Sequence, residues 1–260
     1  MVQSLVLLRL AFALSISQLA VMSATLPLRS LAPRRTAQLS RPTRRLGAAP
    51  RAESEAQRYT YGTVDVTMPL GAVQQLPLPL QTATVAAVFG ALGAGAAFSC
   101  DVLGPALEHS APDLFAFSRA TWPLLGATYL AAGVAHFTAP DAFVTMFPQR
   151  GAWGIWYLPG SAEFHVAWTG FAELAGGAGV LLGAIPAAHN FAPWLGPTAA
   201  LGLYALSWAV YPANVYMATH NAPGPGPAGA VIPPAGHAVR FLLQVMLLSI
   251  LWGLAHPPPV

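Results

Sequence analysis

The chain has 260 residues, 55% of them apolar and only 8% charged, with no lysine. So few charges cannot solvate a globule of this size, which excludes an ordinary soluble domain and makes a multi-pass membrane protein the default class. Nine of the twelve arginines precede residue 60 and from Tyr59 onward three face seven acids, so the net charge of +3 belongs to the N-terminal segment and does not support a nucleic-acid partner.

Residues 1–58 carry targeting composition. "LAFALSISQLAVMSA" (10–24) is a short apolar core that follows Arg9 and ends in small residues, as in a signal peptide. "TLPLRSLAPRRTAQLSRPTRRLGAAPRA" (25–52) is rich in Arg, Ser, Pro and Ala and free of acids, as in a transit peptide. Together they point to a two-part plastid leader that is removed on import. A secretory signal and a mitochondrial presequence are the alternatives. Residues 59–81 follow as a polar-to-Pro-rich linker.

Five apolar stretches come next. The first, 82–99, is short and built on Ala and Gly, and is expected to add a helix before the others. The second spans about 120–137, the third 164–185, the fourth 195–217 and the fifth 239–255. Spans in lipid must be helical, because hydrocarbon offers no partner to backbone N–H and C=O groups. Small residues four apart, as at Ala86/Gly90/Ala94 and Gly179/Gly183, suit close helix packing. The intervening segments predict an acidic loop at 100–119, an aromatic loop at 138–163 with Trp153, Trp156 and Tyr157 at the interface, and a flexible linker at 221–236. Cys100 is the single cysteine, which excludes an intrachain disulfide and a CxxC redox pair.

Alternating spans place His136, His165, His220 and His237 at one face together with Arg58, Arg150 and Arg240; the other face receives His109, His189 and His256. By the positive-inside rule the first face is the untranslocated side. Four imidazoles on four helices could ligate a metal or haem, but no HxxxH pair supports it, and no metal is expected. Within the third span, His165, Thr169, Glu173 and Gly177 are four apart and form one slanted ridge that should face the interior. An ionised carboxylate at mid-bilayer costs roughly 2.5–3.5 kcal/mol, so Glu173 must be neutral, paired or hydrated. Depth separates it from His136, His165 and His220, which lie near one boundary. In the fourth span, Pro212 frees a carbonyl a turn upstream, Asn214 follows it, and Tyr216 and His220 share a face.

"YLAAGVAHFTAPDAFVTMFP" (129–148), "TGFAELAGGAGVLLGA" (169–184) and "YPANVYMATHN" (211–221) resemble the DoxX-like family of small membrane proteins. The resemblance implies an all-α four-helix transmembrane bundle over 118–256, with 82–99 as an extra N-terminal transmembrane helix. It carries over His136, Glu173, Pro212, Asn214 and His220, with Gly133, Gly176 and Gly177 as packing residues. With Thr169, His165, Gly179 and Gly183 these complete the candidate polar site and its packing frame. Three functions compete. The leading one is a non-enzymatic plastid membrane protein that supports or stabilises a membrane complex or homo-oligomer and holds no cofactor. The second is a quinone-linked redox subunit, as the family's association with thiosulfate:quinone oxidoreductase implies. The third is a lipophile-binding protein or isomerase using buried Glu and His. P-loop, GxSxG and HExxH motifs are absent.

Overall fold

The computed structural model describes residues 56–225 and 230–257. The expected leader, up to residue 55, and residues 226–229 of the expected linker lie outside the described residues. The chain is mostly helical. It opens with strands β1 (Ala56–Tyr61) and β2 (Val64–Pro69), followed by α1 (Leu78–Phe98), a π turn (Ser99–Leu103), α2 (Gly104–Ser110) and α3 (Pro112–Thr121). A 3-10 turn (Trp122–Leu124) leads into α4 (Leu125–Thr138) and α5 (Pro140–Thr145). A second 3-10 turn (Ala152–Gly154) precedes α6 (Ala162–Gly183), α7 (Pro186–Phe191), α8 (Leu195–His220) and α9 (Pro234–Ala255).

Three stretches are long and apolar enough to cross a membrane: Leu78–Ser110, Ala162–Gly183 and Pro234–Ala255. The first stretch is helical throughout, so the acidic loop expected from residue 100 is instead a continuation through the π turn and α2. Two of the expected spans differ. At 14 residues, α4 rises about 21 Å and is shorter than a bilayer core. α8 rises about 39 Å, but Ser207, Pro212, Asn214, Thr219 and His220 make it less apolar.

The frame is set by α6. It packs against α4 on one side and α8 on the other; α8 in turn packs on α9, and α9 on α1. Glycines explain why. A Cβ at Gly177 would fall 2.6 Å from the Gly126 carbonyl oxygen, and one at Gly133 would fall 2.8 Å from that of Gly170, so α4 and α6 touch backbone to backbone. On the opposite face, Gly176 meets Leu203, Gly179 meets Ala199 and Gly183 meets Gly196. The residue pairs run in opposite senses along each helix, as antiparallel neighbours must. Gly133, Gly176, Gly177, Gly179 and Gly183 all lie at these contacts. Gly90 is not a packing residue, since a Cβ there meets nothing within 4 Å.

The linker reading of 59–81 is corrected by the hairpin, whose strand β1 also takes in Ala56–Arg58 from the expected leader, and by α1, which starts at Leu78. Strand alternation is clean: Tyr59 and Met68 are buried, while Arg58 and Asp65 pair outward at 2.7 Å. Hydrogen bonding from Arg58 holds the Asp65 carboxyl below the usual carboxylate range, but both groups are exposed, so the pair adds little to stability. At the tip, Gly62 (φ 53°) makes the turn, and the Asp141 carboxylate of α5 accepts from Thr63 N and Oγ1, each at 2.7 Å.

The hairpin closes over the end of α8. Tyr59 OH donates to the His220 carbonyl at 3.0 Å and Asn221 Nδ2 to the Pro69 carbonyl at 3.1 Å. Beneath it lies Trp153, expected at the interface but only 1% exposed. Its Nε1 donates to Thr219 Oγ1 at 3.0 Å and its carbonyl accepts from Thr82 Oγ1 at 2.6 Å, which holds a backbone with φ of 55° in place. Residues 221–225 are likewise ordered: Ala222 is buried, and the Pro223 carbonyl accepts from Thr145.

Introducing Ala at Gly177 forces α4 and α6 apart and is expected to destabilise the protein by about 1–3 kcal/mol. Gly90→Ala should be neutral or stabilising by up to about 1 kcal/mol, from helix propensity. Thermal melts of the two variants in one detergent check both signs.

Candidate functional site

The polar groups of the α4–α6 seam form the candidate site. α6 starts cleanly: Ser161 caps it, its hydroxyl accepting from Phe164 N at 3.2 Å. Eight residues on, Thr169 turns inward, followed by Gly170 and Glu173, all buried. A Cβ at Gly170 would collide with the Cβ of His136, so this glycine makes the space in which the imidazole lies. Phe143 of α5 covers the ring, with centroids 4.0 Å apart.

His136 is held in one orientation. Nδ1 lies 2.8 Å from the Val166 carbonyl and 3.3 Å from Thr169 Oγ1. A carbonyl only accepts, so Nδ1 carries a hydrogen. The Thr169 hydroxyl proton is directed back to the His165 carbonyl at 2.7 Å, leaving its oxygen free to face the ring. Nε2 is therefore the working nitrogen, and it points at Glu173 Oε2, 3.5 Å away. That oxygen is buried and has no hydrogen-bond partner. The two groups lie within ion-pair range but are not hydrogen-bonded. Such a pair can share a proton, and a hydroxyl or carbonyl placed beside it would find both a donor and an acceptor.

The expected separation of Glu173 from the boundary histidines is corrected for His136. Helix register supplies the reason: His136 sits opposite Gly170, and Glu173 is only three residues, about 4.5 Å of rise, farther along α6. Two flexible side chains close that gap. For the other histidines the separation stands. His165 stacks on Phe147 at 5.1 Å, and both its ring nitrogens are engaged, Nε2 with the Pro159 carbonyl at 2.8 Å and Nδ1 with Trp168 Nε1 at 3.0 Å. The inward ridge thus begins at Thr169. His220 stacks on Tyr216 at 4.3 Å, and its Nδ1 meets Thr219 Oγ1 at 2.8 Å, so it belongs to the cap under the hairpin.

Asn214 is not part of this cluster either. Its Oδ1 accepts from Arg240 of α9. Pro212 lies inside α8 as expected, and nearby the Ser207 carbonyl accepts from Gln244 at 3.3 Å. Ser207 Oγ in turn bonds Tyr129 OH at 2.6 Å, tying α4 to α8. Tyr129, Ser207 and Gln244 were not among the sequence candidates; Ser207 and Gln244 are isolated polar residues in apolar runs and Tyr129 follows Thr128 in another, a weak signal in each case. Among the described residues, no group of three or more His, Cys, Asp and Glu side chains is placed to hold a metal ion.

Residues 125–255, from the start of α4 to the end of α9, match the family described as a domain of unknown function (DUF8561). No curated protein and no solved structure matches the chain.

In a sample labelled with ¹⁵N-histidine, His136 should show a protonated Nδ1 whatever the state of Nε2. A spectrum with the hydrogen on Nε2 alone contradicts the bond to Val166.

Proposed function

This chain belongs to the DUF8561 family, and we propose that it is a multi-pass membrane protein that binds the polar group of a lipophilic molecule at the His136–Glu173 pair. The observation that carries this reading is the buried Glu173 Oε2, 8% residue exposure and no partner, beside an imidazole already oriented by Val166. A buried carboxyl oxygen without a hydrogen bond is costly. A ligand hydroxyl or carbonyl offsets that cost while its apolar body lies among the helices. A quinone carbonyl fits the same description, and a quinone-linked role would require electrons from a partner. In this reading α4, α6, α8 and α9 form a four-helix DoxX-like membrane bundle, α1 is an additional N-terminal transmembrane helix, and the membrane is that of a plastid.

A second reading, support of a membrane complex, has its own observation. Phe164, Trp168 and Phe171 form an exposed aromatic stripe along α6, with Phe171 64% exposed and its ring tilted against that of Phe137, centroids 4.8 Å apart. Such a stripe suits a partner helix as well as lipid. Substituting Phe164 and Phe171 by Leu should shift the protein to lower mass in native gels if a partner covers it; unchanged migration removes this reading.

For the ligand reading, protein extracted in mild detergent should carry a lipophile that mass spectrometry detects in a solvent extract. Glu173→Gln and His136→Gln should each lower its occupancy roughly 10- to 150-fold, the equivalent of about 1.5–3 kcal/mol for a hydrogen bond to a charged group. If both variants melt at lower temperature and the extracts are identical, the pair only ties α4 to α6.

A further inference from the structure

We infer that the α8–α9 interface carries an oxyanion site centred on the Arg240 guanidinium, taking the acidic headgroup of an anionic lipid or a free oxyanion of the same chemistry. Arg240 lies on the stripe of α9 that faces α8, in line with Gln244, Leu248 and Leu251, the last two fully buried. It is partly buried itself, and its polar contacts are made by Nη2 alone, with Asn214 Oδ1 and, at 3.5 Å, Met217 Sδ. Both partners are neutral. The ion pairs among the described residues are Arg58 with Asp65 and His136 with Glu173, and neither involves Arg240.

A guanidinium presents five N–H donors in a rigid fork that matches phosphate and carboxylate oxygens two at a time. Here one arm is used, and among the described residues the rest of the fork has no acceptor. Withdrawing a cation from water without a counter-charge is unfavourable, and an amide dipole does not replace an anion. Position indicates which anion can reach it. Arg240 is six residues inside the start of α9, and Asn214 six residues inside the end of α8, a depth of about 9 Å along either helix. With α9 read as crossing the membrane from Pro234, that is headgroup depth. Val239 and Leu242 flank it on exposed apolar surface where acyl chains lie, and His237, one turn earlier and partly buried, offers a further donor. The site shares no residue with the His136–Glu173 pair, so the two stand or fall separately.

The test uses the full chain, delipidated in a neutral detergent, and thermal stability as readout. Phosphatidylglycerol, phosphatidylcholine and inorganic phosphate are added in parallel to the wild type, Arg240→Gln and Asn214→Asp. Phosphatidylglycerol should raise the melting temperature of the wild type and phosphatidylcholine should not. That shift should be lost in Arg240→Gln. It should also be lost in Asn214→Asp, where an internal carboxylate takes the ligand's place and stabilises the lipid-free protein. A shift produced by inorganic phosphate, also lost in both variants, assigns the site to a free oxyanion instead of a lipid. The inference is overturned if none of the three additives stabilises the wild type, or if Arg240→Gln responds as the wild type does.

Discussion

Everything described here depends on how closely α6 approaches two neighbours at once. Gly177 admits the backbone of α4 and Gly170 its His136 side chain, and Gly176, Gly179 and Gly183 admit α8, so the helix is flanked on opposite faces by contacts that only hydrogen side chains allow. In lipid there is no hydrophobic drive to pull helices together, and dense packing of small residues has to supply the association. That density leaves little freedom to re-register. Once Gly126 meets Gly177 and Gly133 meets Gly170, His136 has one place to go, over Gly170 and under Phe143.

Polar residues are distributed according to that frame. Each interface carries few of them, and nearly all are tied: Tyr129 to Ser207 between α4 and α8, Gln244 to the Ser207 carbonyl between α8 and α9. These bonds act as connectors, and their satisfaction makes the exceptions informative. Among the described residues Glu173 Oε2 is buried without a partner deep in a seam, and Arg240, only partly buried near a helix end, is bonded through Nη2 alone. Trp156 Nε1 is also buried without a partner, in the aromatic cluster beside Trp153 and Phe147, and the structure gives no physical account of it.

The long apolar helices were legible because apolar runs without charges leave few alternatives, and spacing alone marked Gly179, Gly183 and the Thr169–Glu173–Gly177 ridge of α6. Three features were not. The contact between His136 and Glu173 depends on interhelical register, which sequence depth does not encode: a residue near a boundary on one helix can oppose the middle of another. The hairpin is two six-residue strands in a polar stretch, and the alternation in "YTYGTVDVT" around a glycine was its only trace. Arg240 reads as sitting at the very edge of the membrane face because hydropathy starts the last span at Val239. Pro234 at the first helical position is the stronger signal, and it sets the start of α9 five residues earlier.

The bond from Tyr59 to the His220 carbonyl joins residues 161 positions apart, and it has a consequence for assembly. Strand β1 leaves the N-terminal side of α1, yet its dock exists only when the last turn of α8 is in place and Trp153 has settled against Thr219. The hairpin thus docks on a surface made by the end of α8 and the Trp153 turn together. Until that surface is in place its inner face, Tyr59 and Met68, has no partner. An intact hairpin therefore reports a completed fold, which makes protease resistance just after Ala56 a measure of whether the helices behind it have assembled.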